Sequence, residues 1–136
     1  KRFGCEHPDT LKSMNNLGAL LQCIGKHEEA ETLLRENLRI REKMFGPDHP
    51  STLGSMSNLA ALLYAVGKYK EAEPFNRRVL KAAEERHGHN HRSTLQSVNS
   101  LAQLLKAMGR HQEAEPLLRR ALKASESVNN FGRLLK

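Results

Sequence analysis

Histidine is the residue type in this 136-residue chain whose spacing most suggests chemistry. His7, His49 and His91 recur at intervals of 42 residues, and His87 and His89 stand shortly before the third. Imidazole can bind a metal ion or respond to pH. Histidines one interval apart should lie too far apart for one ion to bridge, and the closer group has no second carboxylate or cysteine beside it. The pattern favours a role in capping or packing a turn, and it predicts neither a metal site nor a cofactor.

The acidic and sulfur-containing side chains do not form a catalytic group either. Adjacent glutamates occur at 28–29 and 84–85 in helical patterns, where neighbouring side chains point about 100° apart and cannot act as a pair. Neither Cys5 nor Cys23 has a neighbouring histidine that would mark a nucleophile, and the two form no disulfide or zinc pattern. The glycines fall at helix ends or at a small-residue position in a helix, so no phosphate-binding loop is predicted. The sequence therefore predicts a protein that is not an enzyme.

Charge and hydropathy narrow the classes of partner. The chain has 22 Lys and Arg residues against 15 Asp and Glu, and its net charge of +7 favours acidic partners. Aromatic residues make up only 4%, with no Trp, so little is available to stack on unpaired bases, and sequence-specific nucleic-acid binding is not expected. No apolar run approaches the roughly 18 residues of a membrane span. The cysteine usage favours a reducing compartment, and we expect a cytoplasmic protein.

The chain is built from an internal repeat. A shift of 42 residues aligns it with itself twice. The matching positions include Thr10-Leu11, Thr52-Leu53 and Thr94-Leu95; Leu17, Leu59 and Leu101; Gly25, Gly67 and Gly109; and Glu29-Ala30-Glu31, Glu71-Ala72-Glu73 and Glu113-Ala114-Glu115. A period of this length predicts stacked copies of one supersecondary unit.

Each unit contains two helical patterns. In the first unit, apolar or small residues recur at helical spacing at Leu11, Met14, Leu17, Gly18 and Leu21, and then at Ala30, Leu33, Leu34, Leu38 and Ile40. Gly25 and Gly46 are expected to end the two helices. Pro74 and Pro116 indicate a helix that starts just before the proline or bends there. Such a pair of helices cannot bury its apolar face alone, so the sequence predicts an all-α fold, an α-solenoid of three repeats at 8–46, 50–88 and 92–126.

The second helices carry a stripe of basic residues. One interpretation is a solvated outer face whose charge glutamates partly offset, and the other is an electrostatic footprint for an acidic protein or nucleic acid. The stripe comprises Arg35, Arg39, Arg41, Arg77, Arg78, Lys81, Arg119, Arg120 and Lys123. The first interpretation is favoured.

These motifs resemble a known family of repeats. The segments 59–63 (Leu-Ala-Ala-Leu-Leu), 67–69 (Gly-Lys-Tyr), 71–74 (Glu-Ala-Glu-Pro) and 46–50 (Gly-Pro-Asp-His-Pro) are similar to the 42-residue tetratricopeptide repeat. That variant is typical of kinesin light chains, of nephrocystin-like proteins and of the repeat arms of some nucleotide-binding sensor proteins. Members of the family share the scaffold and differ in their partners.

The resemblance implies a non-catalytic scaffold that binds a peptide or protein segment. The first helix of each repeat would line a concave groove, with an Asn in that helix bonding the peptide backbone. Asn16 and Asn58 keep this Asn, whereas the third unit has Ser100. Lys12 and Lys106 match in charge the basic residues with which kinesin light chains hold acidic peptides. The candidate groove residues are Lys12, Asn15, Asn16, Asn58, Tyr64, Asn99, Gln103 and Lys106.

The two ends of the sequence depart from the simple repeat. Residues 1–8 align with 43–50, so the chain begins in the tail of an earlier repeat. Residues 127–136 match 97–106 at a shift of 30, as the start of a fourth repeat that lacks the twelve-residue turn before it. Either the turn is deleted and one helix runs from about 112 to 136, or a loop is missing from the sequence as given, and we favour the second.

A continuous C-terminal helix would carry an unpaired apolar face. That face would comprise Val128, Phe131, Leu134 and Leu135. Exposed faces of this kind favour dimerisation or domain swapping. The alternative function is therefore a self-assembly arm of a larger protein, which pairs through its repeat ends and forms a homo-oligomer through the C-terminal segment.

Overall fold

The computed structural model describes the backbone of residues 8–134 and the side chains of residues 9–126. Six α-helices follow one another: α1 (Pro8–Cys23), α2 (His27–Phe45), α3 (Pro50–Ala65), α4 (Tyr69–His87), α5 (Arg92–Ala107) and α6 (His111–Leu134). No strand occurs between residues 8 and 134. The all-α prediction is confirmed, and the helices alternate as the 42-residue pattern predicts.

Glycine turns separate the two helices of a repeat. Gly25 and Gly67 have φ angles of 88° and 86°, in the left-handed region that side chains with a Cβ rarely adopt. The residue after each glycine closes the turn, because Lys26 N–H donates to Leu21 O and Lys68 N–H donates to Leu63 O, both at 2.8 Å. This is the Schellman arrangement, which satisfies carbonyls at the end of the preceding helix.

Histidines cap the first helices of the second and third repeats. The Nδ1 atoms of His49 and His91 accept hydrogen bonds from the backbone N–H groups of Ser51 and Ser93, each at 3.0 Å. The His49 ring also stacks on Phe45 with centroids 4.6 Å apart. A capping role is confirmed for these two histidines, and His7 lies outside the described residues.

Contacts divide the chain into two compact units, with the boundary between Phe75 and Asn76 inside α4. In the first unit, α1 and α3 both pack against α2. Asn37 joins these three helices, because its Nδ2 donates to Leu11 O and its Oδ1 accepts from Ser55 Oγ, both at 2.7 Å. Asn37 is fully buried, so both ends of its amide are satisfied where water cannot reach them.

In the second unit, α5 packs against α6 around a small apolar core. Val98, Leu101 and Leu105 are buried on α5, and Ala114 and Ala121 are buried on α6. The alanines on α6 allow the two helices to approach closely.

Two sequence expectations for the helices need correction. The helical spacing predicts Leu17 on the buried stripe of α1, but it is about half exposed, whereas Leu59 at the same repeat position is buried. Nothing among the described residues covers that side of α1. The helices also begin well before their prolines, because α4 starts at Tyr69 and α6 at His111. This excludes a start just before Pro74 or Pro116, and the alternative of a bend at the proline stays a prediction.

The last helix runs without a break from His111 to Leu134. This helix does not test how the inter-repeat turn came to be missing, and both explanations, a deletion and a loop missing from the sequence as given, stay predictions. The repeat boundaries themselves stay a prediction. The apolar side chains proposed for the end of this helix, at Val128, Phe131, Leu134 and Leu135, lie outside the described residues.

Candidate peptide-binding groove

The first helices of two successive repeats line a small cavity in the first unit. It encloses about 150 Å³, and Leu34 of α2 forms part of its wall. The other lining residues come from α1 and α3: Asn15, Asn16, Ala19, Gln22, Asn58 and Ala61. The structure therefore brings together three predicted groove residues, Asn15, Asn16 and Asn58.

Side-chain amides dominate the polar surface of this cavity. Asn58 Nδ2 donates a hydrogen bond to Asn15 Oδ1 at 2.9 Å, which links α3 to α1. An asparagine amide offers two donor hydrogens and an acceptor oxygen with two lone pairs. One bond between the two side chains therefore leaves capacity for further donors and acceptors. Asn16 and Gln22 add two more amides to the same wall.

The lining of the cavity is electrically neutral. None of its seven residues carries a formal charge. The short side chains of Ala19 and Ala61 leave space in the cavity, and Leu34 supplies an apolar surface. This arrangement suits a chain that presents peptide groups and small side chains, rather than one anchored by carboxylates.

The remaining predicted groove residues lie elsewhere. Lys12 is exposed on α1, and Tyr64 is exposed on α3 with its ring 5.5 Å from that of Tyr69. Neither lines the cavity between α1 and α3. Asn99 and Gln103 are exposed on α5 in the second unit. Lys106 lines a different cavity, between α5 and α6.

That second cavity is an open groove with a volume of about 470 Å³. Its lining combines a basic and acidic rim with exposed leucines of α6. The lining residues are Lys106, His111, Ala114, Glu115, Leu118, Arg119 and Leu122. These leucines were not predicted as site residues. The available signal was their position on α6, the second helix of the third repeat.

Ion pairs link the basic stripe to glutamates of the same unit. Arg35 contacts Glu31 at 2.8 Å and Glu71 at 2.5 Å, and Lys68 Nζ lies 3.0 Å from Glu31. In the second unit, Arg77 contacts Glu113 at 3.4 Å. These pairs favour the interpretation of the stripe as a solvated face whose charge is partly offset.

Glu31 lies at the centre of one such group. Partial burial alone would raise the pKa of its carboxyl group, but hydrogen bonds from Lys68 and Arg35 outweigh that effect. The pKa of Glu31 is therefore held below its ordinary value.

The sequence profile of the tetratricopeptide repeat matches residues 9–85 and 55–127. The chain belongs to the tetratricopeptide repeat family. Proteins with these repeats generally mediate protein–protein interactions, and their fold is an all-α solenoid. A comparison with curated proteins gave no match.

Solved tetratricopeptide structures include repeats of the kinesin-light-chain type. The nearly identical TPR-like repeats of a Podosopora anserina protein assigned as a kinesin light chain match with a TM-score of 0.79 and 32% identity, over 90% of this chain and 58% of that one. A single-substitution variant of those repeats matches with a TM-score of 0.84 and 30% identity, over 96% of this chain and 61% of the variant. The resemblance to repeats of the kinesin-light-chain type is thereby confirmed.

A third structure shows the same fold at lower identity. BtubC (BKLC) from P. vanneervenii matches with a TM-score of 0.82 and 24% identity, over 91% of this chain and 50% of that one. The chain thus spans between half and about three fifths of the length of these tetratricopeptide structures.

The described tetratricopeptide helices contain neither a membrane-spanning helix nor a metal-binding group. Across the described residues, no helix combines the length and the apolar character that a membrane span requires. In the same part of the chain, no three His, Cys, Asp or Glu side chains form a group that could hold a metal ion.

Proposed function

We propose that this repeat array is a non-catalytic scaffold that binds an extended segment of another protein between α1 and α3. The observation that carries the proposal is the group of amides around one cavity, at Asn15, Asn16, Gln22 and Asn58. An extended segment leaves its backbone N–H and C=O groups unpaired. Side-chain amides can donate to and accept from such groups at the same time.

The lining also indicates what the segment looks like. Because no charged side chain faces the cavity, the residues that enter it should be neutral and small. The net charge of +7 acts at longer range. It should speed the approach of a partner whose flanking sequence is acidic. Lys12 contributes to this charge close to the cavity, because it lies on the same helix as Asn15 and Asn16.

A peptide library provides the test. Peptides selected on the chain from a random display library are measured for binding to the wild-type protein and to the Asn58→Ala variant, by fluorescence anisotropy. We expect the variant to bind about tenfold more weakly, because one or two hydrogen bonds are lost. Gln112→Ala removes an exposed amide of α6 and serves as the control.

Two outcomes would contradict the groove. One is a selection that enriches no peptide. The other is a set of peptides that bind the Asn58→Ala variant as tightly as the wild type while circular dichroism shows that both proteins are folded.

Self-assembly through the repeat ends is a second candidate function. The observation that favours it is the exposure of Leu17 and Leu20 on α1 and of Leu118 and Leu122 on α6. The equivalent leucines, Leu59 and Leu62 on α3 and Leu34 and Leu38 on α2, are buried where α2 and α3 pack on each other.

A further inference from the structure

Gly18 lies within α1, on the side of that helix that faces α2. It is buried, and a methyl group placed on it would lie 2.8 Å from Cδ2 of Leu34 and 3.1 Å from Cγ of the same residue. Carbon atoms that are not bonded to each other prefer separations of about 3.5–4.0 Å. Leu34 therefore occupies space that is available because residue 18 has no side-chain carbon.

The same leucine lines the cavity between α1 and α3, so one side chain borders both Gly18 and the candidate groove. Leu34 is only 3% exposed, and Ala30 and Leu38, one turn before and after it on α2, are 0% and 6% exposed. Interiors packed this densely leave little room for a side chain to shift along the helix. The open space that Leu34 borders is the cavity, so a group added at residue 18 would push the leucine into it.

The volume of the cavity, about 150 Å³, limits what can enter. An engineered apolar cavity of about this volume holds a single benzene molecule. The backbone of a bound segment must use part of the space if it is to reach the amides of Asn15 and Asn58. What remains is enough for a methyl or hydroxymethyl group, and it is too little for an aromatic ring. A small loss of depth should therefore change which residue fits.

The first repeat differs from the other two at this position. Ala60 and Ala102 are the equivalents of Gly18, and both are buried. Glycine inside a helix is less favourable than alanine, because it costs more backbone entropy. The glycine stands in α1, the helix that supplies four of the seven residues around the cavity. Its place there fits a need for space beside Leu34.

We propose that Gly18 sets the depth of the cavity through Leu34, and that the segment bound there therefore carries glycine, alanine or serine at the residue that enters. This inference rests on the proposed function, and it adds the size of the recognised residue and the side chain that limits it. Gly18 is a positioning residue, because it is not part of the cavity lining and acts through Leu34.

The test compares the peptides that the wild type and Gly18→Ala select from the same random display library. The wild type should select glycine, alanine or serine at one fixed position, and Gly18→Ala should narrow that selection to glycine. A peptide with alanine at this position should bind Gly18→Ala about tenfold more weakly than the wild type in fluorescence anisotropy. Gly54→Ala makes the same substitution within α3, where the added methyl group would meet nothing within 4 Å, and is the matched control.

Leu34→Val tests the same contact from the other side. Valine is one carbon shorter than leucine, so the cavity should deepen and the selection should extend to a larger apolar residue such as valine. The double variant Gly18→Ala with Leu34→Val adds one carbon and removes one at the same contact, and it should return to the selection of the wild type. A role of Gly18 in helix stability alone would leave these preferences unchanged. If Gly18→Ala does not fold by circular dichroism, the selection of Leu34→Val decides the question.

Three results would overturn the inference, and they differ in what they say of the groove. Peptides that need Asn58, selected with the same residue preference by the wild type, Gly18→Ala and Leu34→Val, would leave the groove intact and exclude the role of Gly18. A double variant that keeps the narrowed selection of Gly18→Ala would exclude Leu34 as the link. A wild-type selection that enriches no peptide would remove the proposed function and this inference together.

Discussion

Asn58 on α3 donates a hydrogen bond to Asn15 on α1 at 2.9 Å, so the first helices of two successive repeats are joined directly across the candidate groove. The pair occupies the position where a bound segment would have to lie. A ligand would therefore either accept the pair as part of the groove floor or exchange this bond for bonds to its own backbone.

A double-mutant cycle should detect this bond in the free protein. Asn15→Ala and Asn58→Ala are each expected to reduce the free energy of unfolding by less than about 1 kcal/mol, because Asn58 is exposed and water can replace its partner. The double variant should lose less than the sum of the two by a few tenths of a kcal/mol up to about 1 kcal/mol. Urea unfolding of the four proteins measures the coupling, and strict additivity would exclude a contribution from the bond.

Asn37 should be far more sensitive to substitution than Asn58. Its amide is fully buried and bonded at both ends, to Leu11 O and to Ser55 Oγ. Asn37→Ala removes both hydrogen bonds, leaves the buried Ser55 hydroxyl without this acceptor and opens a cavity, so we expect a loss of about 2–4 kcal/mol. Ser55→Ala removes one bond and should cost about 1–2 kcal/mol. Urea unfolding with Asn58→Ala as the exposed control tests the order, and equal losses at the two asparagines would contradict it.

The histidine caps give a prediction that separates capping from packing. His49 accepts from Ser51 N–H and also stacks on Phe45. His49→Ala should cost about 1 kcal/mol or slightly more, since both contacts are lost. His49→Asp keeps a side-chain acceptor at the start of α3 and should recover most of that loss. The thermal midpoints of the two variants provide the comparison, and an Asp variant no better than Ala would assign the stability to the stacked rings.

The ion-pair group of Glu31 predicts a dependence of stability on pH. Its pKa in the folded protein lies below the ordinary value of 4.5, which the unfolded chain should approach. The unfolded state therefore binds the proton first, so the stabilisation is fully present above pH 4.5 and is lost as the pH falls through the lower folded value.

Replacing the carboxyl group tests this sign. In Glu31→Gln the loss of unfolding free energy between neutral pH and acid should be smaller than in the wild type. Glu85→Gln makes the same change in charge at an exposed position of α4 and serves as the control. A wild-type acid dependence that Glu31→Gln leaves unchanged would show that the pair with Lys68 adds nothing to stability.

The helices and turns could be predicted from the sequence because their causes are local. Gly25 and Gly67 end helices through their own backbone conformation. Burial was harder to predict, since Leu17 and Leu59 are the same residue at the same repeat position and differ only in which helix lies beside them. Exposure at the end of an array depends on neighbours, and a periodic pattern carries no information about them.

The buried asparagine was missed for a related reason. Asn37 stands at a position that Val79 and Ala121 fill in the other repeats. A single polar residue at an otherwise apolar position was the signal available in the alignment. Predicting its hydrogen bonds would also have required its two partners, the serine of the next repeat and the carbonyl of the previous helix. The repeat period does not indicate that either partner lies beside Asn37.

The placement of Asn37 affects how this array can change its length in evolution. Ser97 occupies in the third repeat the position that Ser55 holds in the second. Excision of the second repeat would bring Ser97 opposite Asn37, and the hydrogen bond to a serine hydroxyl would re-form. A shortened gene could therefore encode a stable protein in one step. Excision of the first repeat would instead remove Asn37 and, with it, both of its buried hydrogen bonds.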